Sequence, residues 1–355
     1  LEMIAKYGAD ATRFGLLLMS SAQDVRFSEE KIGMGRNFAN KLWNASRLVL
    51  LASEGVETQR GDADQVDRWI TSRFQRCVAG VEAAVTVFDF TAAVDTVYHF
   101  VWDEFCDWYL ELVKVRLYGE NAAQKAQAAG HSRWILDQIV RLLHPFLPFV
   151  TAEVAQQYSA APLIDQSHPR YDEALLAPAD EAAIGELQAV VDALRRFRAE
   201  ADVPPGKVLE AVFVGEDGTA AAGVASAALG AARAAAGGSG TGAARYAPFA
   251  AAFRALARTE VSFAGEPAAD ATVVLVPGGR LEVAAAVDKA EEIFRLEQQL
   301  AKAEAEVARG EAKLANEGFT SRAPEAVVVK ERDKLAAHAS ERDEVAARLA
   351  QLRAG

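Results

Sequence analysis

The chain has 355 residues, 51% of them hydrophobic and 25% charged, which is apolar material enough for two or three cored domains and excludes a disordered or fibrous polymer. Its formal charge of -12 excludes indiscriminate binding along nucleic acid, because that affinity comes from Lys and Arg neutralising phosphates; any RNA contact has to be local. Two cysteines, Cys77 and Cys106, cannot build a zinc module or a disulfide framework, and outside Ala/Gly-rich sequence no uncharged apolar run approaches the ~18 residues of a membrane span, so reducing cytoplasm is the expected compartment.

The chain opens on Leu1 inside a helix-like pattern, as a piece of something longer would. From there to about residue 160, helical periodicity is punctuated by turn signals at GDAD (61–64), VFDF (87–90) and YGENAA (118–123), which predicts a helix bundle. Asp10 and Arg13, three residues apart, are expected to form a local ion pair, and Asp24 with Phe27 to shape a turn. Trp102, Phe105, Trp108, Tyr109, Leu112 and Val113 recur at spacings of three and four among carboxylates. That is a packing stripe, since rings that stack bases need open faces beside cations. HPFLPFVT (144–151) stops the helix over 134–143, and the next helix is expected to run from Thr151 to Tyr158 with Thr151 as its N-cap.

A helix over 181–201 ends in VPPGK (203–207), and β-type runs follow at 208–214, 260–263, 272–276 and 281–287. Between the first two runs lies an Ala/Gly-rich insertion, 218–244, whose composition fits either a flexible segment or a weak helix. Beyond it Ile293, Leu296, Leu300, Ala303, Val307, Gly310 and Leu314 form an unbroken seam. A weaker return arm carries Val328, Leu335, Val345, Leu349 and Leu352, with Glu331, His338 and Arg342 on the seam. Gly318 and Pro324 in the join predict an antiparallel coiled-coil hairpin. With twelve Lys and Arg against fourteen Asp and Glu from residue 288 onward, this is not a basic arm.

No phosphate-binding GxxxxGK[ST] loop, GxGxxG, HExxH or GxSxG occurs, and the five histidines are scattered. No residue is assigned to catalysis or to a metal.

Two phrases near the start, YGAD..RF..L...S....D..FSEE and R.FANKLWN..R within Tyr7–Arg47, resemble class I aminoacyl-tRNA synthetases. In that family the first follows the KMSKS loop of the ATP site, and the second opens the helical anticodon-binding domain. HPFLPFVTAEV (144–154) supports the same group, while RRFRAEADVPPGK (195–207) and NEGFTSRAPEAVVVKERDKL (316–335) resemble the valyl branch. An isoleucyl relative would end in a cysteine-rich zinc module, and this tail has no cysteine. The sequence departs from the family at the 218–244 insertion and at AEVAQQ (152–157), where a Trp is usual.

The resemblance implies a mainly α chain: the end of the post-KMSKS stem-contact region (1–30), an anticodon-binding helix bundle (31–178), a small α/β linker segment (179–287) and a coiled-coil tRNA-binding arm (288–355). It implies a monomeric, cytoplasmic piece that positions tRNA(Val) for ATP-dependent aminoacylation by catalytic and editing domains of the same chain, with ATP and Mg used there and no cofactor here. HIGH and KMSKS are missing from these residues, so no activity is expected of them alone. On the bundle, Arg36, Asn37, Asn40, Lys41, Asn44 and Arg47 are the expected RNA contacts; on the arm, Lys313, Phe319, Arg322, Lys330 and Lys334, with Arg332 beside them. Each set also reads as a solvated helix face, and on the bundle only the cluster, not any single residue, points to RNA. The equivalent part of an isoleucyl or leucyl enzyme, or a non-enzymatic coiled-coil scaffold, remains open, and RNA binding separates the scaffold from the rest.

Overall fold

The computed structural model describes residues 1–19, 27–60, 64–215, 242–268, 271–284, 289–315 and 325–354. Asp24, most of the Ala/Gly-rich insertion, Phe319 and Arg322 lie outside them. Chain contacts divide the molecule into two compact units, one of residues 1–197, 205–267 and 273–282, the other of 198–204, 268–272 and 283–355.

The first unit begins with α1 (Glu2–Tyr7), α2 (Ala9–Leu17), α3 (Glu29–Ala52), α4 (Gln65–Thr86) and α5 (Phe90–His99). The chain then runs unbroken through a π-helical stretch, Phe100–Tyr109, into α6 (Leu110–Leu117), before α7 (Ala122–Leu143), α8 (Pro148–Gln156) and α9 (Pro178–Glu200). Four of these starts are set by short polar side chains: Ser28, Asp64, Asp89 and Asn121 each accept a hydrogen bond from a first-turn backbone N–H. Along α3 the buried residues Ile32, Gly35, Phe38, Leu42, Ala45, Ser46 and Val49 step by three and four, so one face is core and the opposite face is left to solvent.

The two family phrases meet where α2 crosses α3. A Cβ on Gly15 would lie 2.6 Å from the Ile32 Cα, and one on Gly35 would lie 2.6 Å from the Ala11 carbonyl oxygen. The helices therefore touch backbone to backbone, and only glycine fits at either point. Beside this crossing Phe14 stacks on Phe38 at 4.8 Å, and Phe38 meets Tyr98 at 5.2 Å. A Gly35→Ala variant is expected to lose about 1–3 kcal/mol, because the neighbour it strikes is backbone that cannot rotate away. Urea unfolding checks this; a parent-like midpoint would mean the helices separate at no cost.

Three expectations change here. Asp10 and Arg13 do not pair with each other. The Asp10 carboxylate accepts the Phe149 and Val150 amides at 3.2 and 2.6 Å, while Arg13 Nη2 donates to the Pro145 carbonyl at 3.1 Å. Both side chains clamp the 145–150 turn, whose orphan amides and carbonyl are better partners than a solvated charge three residues away. The helix after HPFLP starts at Pro148, not at Thr151, since proline's fixed φ suits the first helical position. Thr151 sits buried in the first turn and donates its hydroxyl to the Leu147 carbonyl at 2.7 Å. The third is the π-helical stretch, where the Leu110 amide reaches back five residues to the Phe105 carbonyl. Its aromatic row is core as expected: Phe105, Tyr109, Leu112 and Val113 are buried. Trp102 and Trp108 are half-buried.

After α9 the same unit continues with β1 (Leu209–Gly215), α10 (Gly242–Tyr246), α11 (Ala250–Ala257), β2 (Thr259–Ser262), β3 (Thr272–Val276) and β4 (Gly279–Val283). The sheet order is β2-β1-β4-β3, with β1 and β2 parallel and Leu209 opposite Thr259. All four β-type runs of the sequence supply these strands. In the second unit α12 (Lys289–Ala315) packs along α13 (Glu325–Ala354). Gly310 lies against Leu335 and Lys313 pairs with Glu331 at 3.0 Å, so numbers rise on one helix as they fall on the other. The hairpin is antiparallel, with Ala303, Val307 and Leu349 buried.

Candidate nucleic-acid interface

The solvent face of α3 follows from its core stripe. Arg36, Asn37, Asn40, Asn44 and Arg47 are all exposed. Their spacings place them in one row roughly 16 Å long, at 1.5 Å of rise per residue. Among the described residues none of these five side chains makes a hydrogen bond or ion pair. Elsewhere on the bundle arginines are consumed internally: Arg68 by Asp180 at 2.8 Å, Arg73 by Glu104 at 2.7 Å, Arg76 by Glu181 at 2.8 Å. A row that keeps two guanidiniums and three amides unengaged can hold phosphates at its ends and offer donor–acceptor pairs between them.

Lys41, the sixth expected contact, is placed differently. Its ammonium lies 2.6 Å from Asp107 Oδ1 and 3.9 Å above the Trp102 ring. That joins α3 to the π-helical stretch and leaves little of its charge for a phosphate. Behind it runs an acidic ladder with residues four apart, Asp95, His99, Asp103 and Asp107, in which His99 Nδ1 lies 2.7 Å from Asp103. Phosphate is repelled from that side of α3, so the row and the ladder together give the face a direction. Sequence spacing could not find the Lys41 clamp, because its partners are more than sixty residues away.

The helices behind the row are pinned by a buried polar network. Asp67, 1% exposed, receives both Arg116 Nη atoms at 2.5 and 2.8 Å. The Tyr109 hydroxyl bonds Ser132 Oγ at 3.0 Å. Burial pushes the Asp67 carboxyl up to about 6 against the pull of Arg116, and pushes the Tyr109 phenol well above its usual range.

On the arm, Lys313 pairs with Glu331 at 3.0 Å and holds that carboxyl below its ordinary value. Lys334 and Arg332 are exposed. The side chain of Lys330, like Phe319 and Arg322, lies outside the described residues. Cys77 and Cys106 are buried and unpaired, and burial raises both thiols. Among the described residues no helix is long and apolar enough to cross a membrane.

Residues 67–213 match the family described as the anticodon-binding domain of tRNA ligases, and residues 288–353 match the tRNA-binding arm of valyl-tRNA synthetases. With the helical bundle and antiparallel hairpin already described, these matches define the tRNA-binding portion of an aminoacyl-tRNA synthetase. The valine–tRNA ligase of Dechloromonas aromatica is 33% identical over 99% of this chain and 37% of its own length. That of Geobacillus stearothermophilus is 35% identical over 99% of this chain and 39% of its own. The chain belongs to the valyl-tRNA synthetase family and spans less than two fifths of those relatives. The apo methionyl-tRNA synthetase of Mycobacterium tuberculosis overlays with a TM-score of only 0.38 at 17% identity, over 43% of this chain and 33% of that one, so the assignment rests on the sequence matches.

Proposed function

We propose that this portion grips tRNA(Val) and presents it for ATP-dependent aminoacylation by the catalytic part of a full-length enzyme. The observation that carries this reading is the unpaired row on α3, two guanidiniums and three amides in line on a chain of charge -12. In this reading residues 1–30 close the stem-contact region, 31–178 hold the anticodon stem and loop, 179–287 link, and 288–355 lean on the tRNA as an arm. ATP and Mg belong to the catalytic part. The 355 residues act as a monomer in the cytoplasm and form no valyl-adenylate by themselves, in keeping with a sequence that carries neither HIGH nor KMSKS.

The purified chain is expected to shift a tRNA(Val) transcript at about 50 mM salt and to lose most of that affinity by about 200 mM, as phosphate contacts do. Valine-dependent pyrophosphate exchange should stay at background. Indifference to tRNA at low salt, or measurable exchange, rejects the reading.

A further inference from the structure

At the α7–α8 turn the first unit has a cleft of about 380 Å³ lined by Arg13, Arg141, His144, Gln166 and His168, with apolar surface from Leu163 and the two turn prolines. We propose that this cleft binds a phosphate of an RNA backbone, a contact separate from the α3 row; in naming RNA it rests on the tRNA reading above.

The charges favour an anion. Arg13 spends one N–H on the Pro145 carbonyl and keeps the rest of its fork. Arg141 Nε lies 2.9 Å from Asp137 Oδ2, yet off the line of its N–H, and this buried nitrogen makes no hydrogen bond. Asp137 also accepts from the Tyr158 hydroxyl at 3.1 Å. Two turns earlier on α7, Arg133 stands 5.2 Å over the Tyr158 ring, and its Nε is likewise buried without a partner. Asp10 is taken up by the Phe149 and Val150 amides, and Asp165, between the lining residues Ile164 and Gln166, is exposed to solvent. Two guanidiniums, Arg13 and Arg141, thus line the cleft, and only Arg141 stands beside an ion-pairing carboxylate. Guanidinium forks are the side chains best matched to phosphate oxygens.

The two histidines offer a place for a ribose hydroxyl. Thr151 gives its only hydroxyl proton to the Leu147 carbonyl, so its oxygen accepts from His144 Nδ1 at 2.8 Å. His168 Nδ1 faces the Pro169 carbonyl at 3.0 Å and must also donate. In its neutral form each ring therefore carries the proton on Nδ1 and leaves Nε2 as an acceptor. An acceptor beside a phosphate site has no use for a second phosphate oxygen; it fits a donor, and the hydroxyl that accompanies every RNA phosphate is the ribose 2′-OH.

The test is NMR of ring-labelled histidines in the full chain, titrated with a tRNA(Val) transcript and separately with inorganic phosphate. The His144 and His168 signals are expected to move with tRNA while His99 stays still. Arg141→Gln should weaken tRNA on the order of tenfold and flatten the salt dependence by about one contact, beyond any fall in the melt from losing the Asp137 pair. His168→Gln, on an exposed loop, should weaken the RNA while leaving phosphate-induced shifts at His144. If tRNA binds and neither signal moves, the proposal is overturned, even where inorganic phosphate moves them. If tRNA does not bind at all, the tRNA reading has failed and the phosphate titration judges the cleft alone: movement of both rings upholds a phosphate site, and none removes it.

Discussion

An Arg116→Met variant is expected to melt roughly 6–20 °C below the parent chain, the fall that follows from losing about 3–5 kcal/mol in a unit of this size. The loss comes less from the missing attraction than from what remains. Asp67 is 1% exposed, and without its two guanidinium contacts it keeps an uncompensated charge inside the bundle. The pH dependence identifies the group. Burial already holds the folded Asp67 carboxyl at about 6, above the ~3.9 of an unfolded aspartate. The folded state therefore binds this proton more tightly, so the group's contribution to stability grows as pH falls from 7 through 6 and is lost as pH rises through 6. Without Arg116 the carboxyl rises further and a neutral acid needs no partner, so the deficit of the variant should shrink between pH 7.5 and 5.5. Melts at the two pH values decide: an equal deficit at both would show that some other group causes it.

Replacing Arg36 and Arg47 together by Gln is expected to weaken tRNA(Val) about 10–100-fold near 0.1 M salt and to lower the slope of log affinity against log salt by about two. The melt should not move by more than about 1 °C, because both side chains are exposed and neither is paired among the described residues. Lys41→Gln provides the contrast. It removes a 2.6 Å ion pair and a cation held 3.9 Å over Trp102, so its effect should appear in the melt before it appears in binding. Filter binding over a salt series, with calorimetry of the same three proteins, separates the outcomes. Should the double variant bind like the parent, α3 is a solvated face and nothing more.

Much of the fold is legible in the residues alone. The stripe from Ile32 to Val49 shows α3 and, by subtraction, its wet face; Asn121 and Asp64 mark helix starts; four apolar runs mark four strands. Those signals lie within a few residues, where periodicity and capping act. The site itself is legible only as a set of candidates. Lys41 looks like its neighbours Arg36 and Arg47 on the same helix, and nothing local announces that Asp107 takes its charge. Asp10 and Arg13 look like partners because they are close in sequence, and the turn at Pro145 outcompetes that pairing across more than 130 residues.

The sequence by itself therefore determined which segments are helix and strand, that the tail folds back as a hairpin, and which family the chain resembles, because backbone propensity and apolar spacing are local properties. Only the tertiary structure decided which charges are spent on ion pairs and which stay exposed on the α3 face, and that Arg13, Arg141, His144 and His168 share one cleft. Neutralisation depends on distance through space, and distance through space is what folding sets.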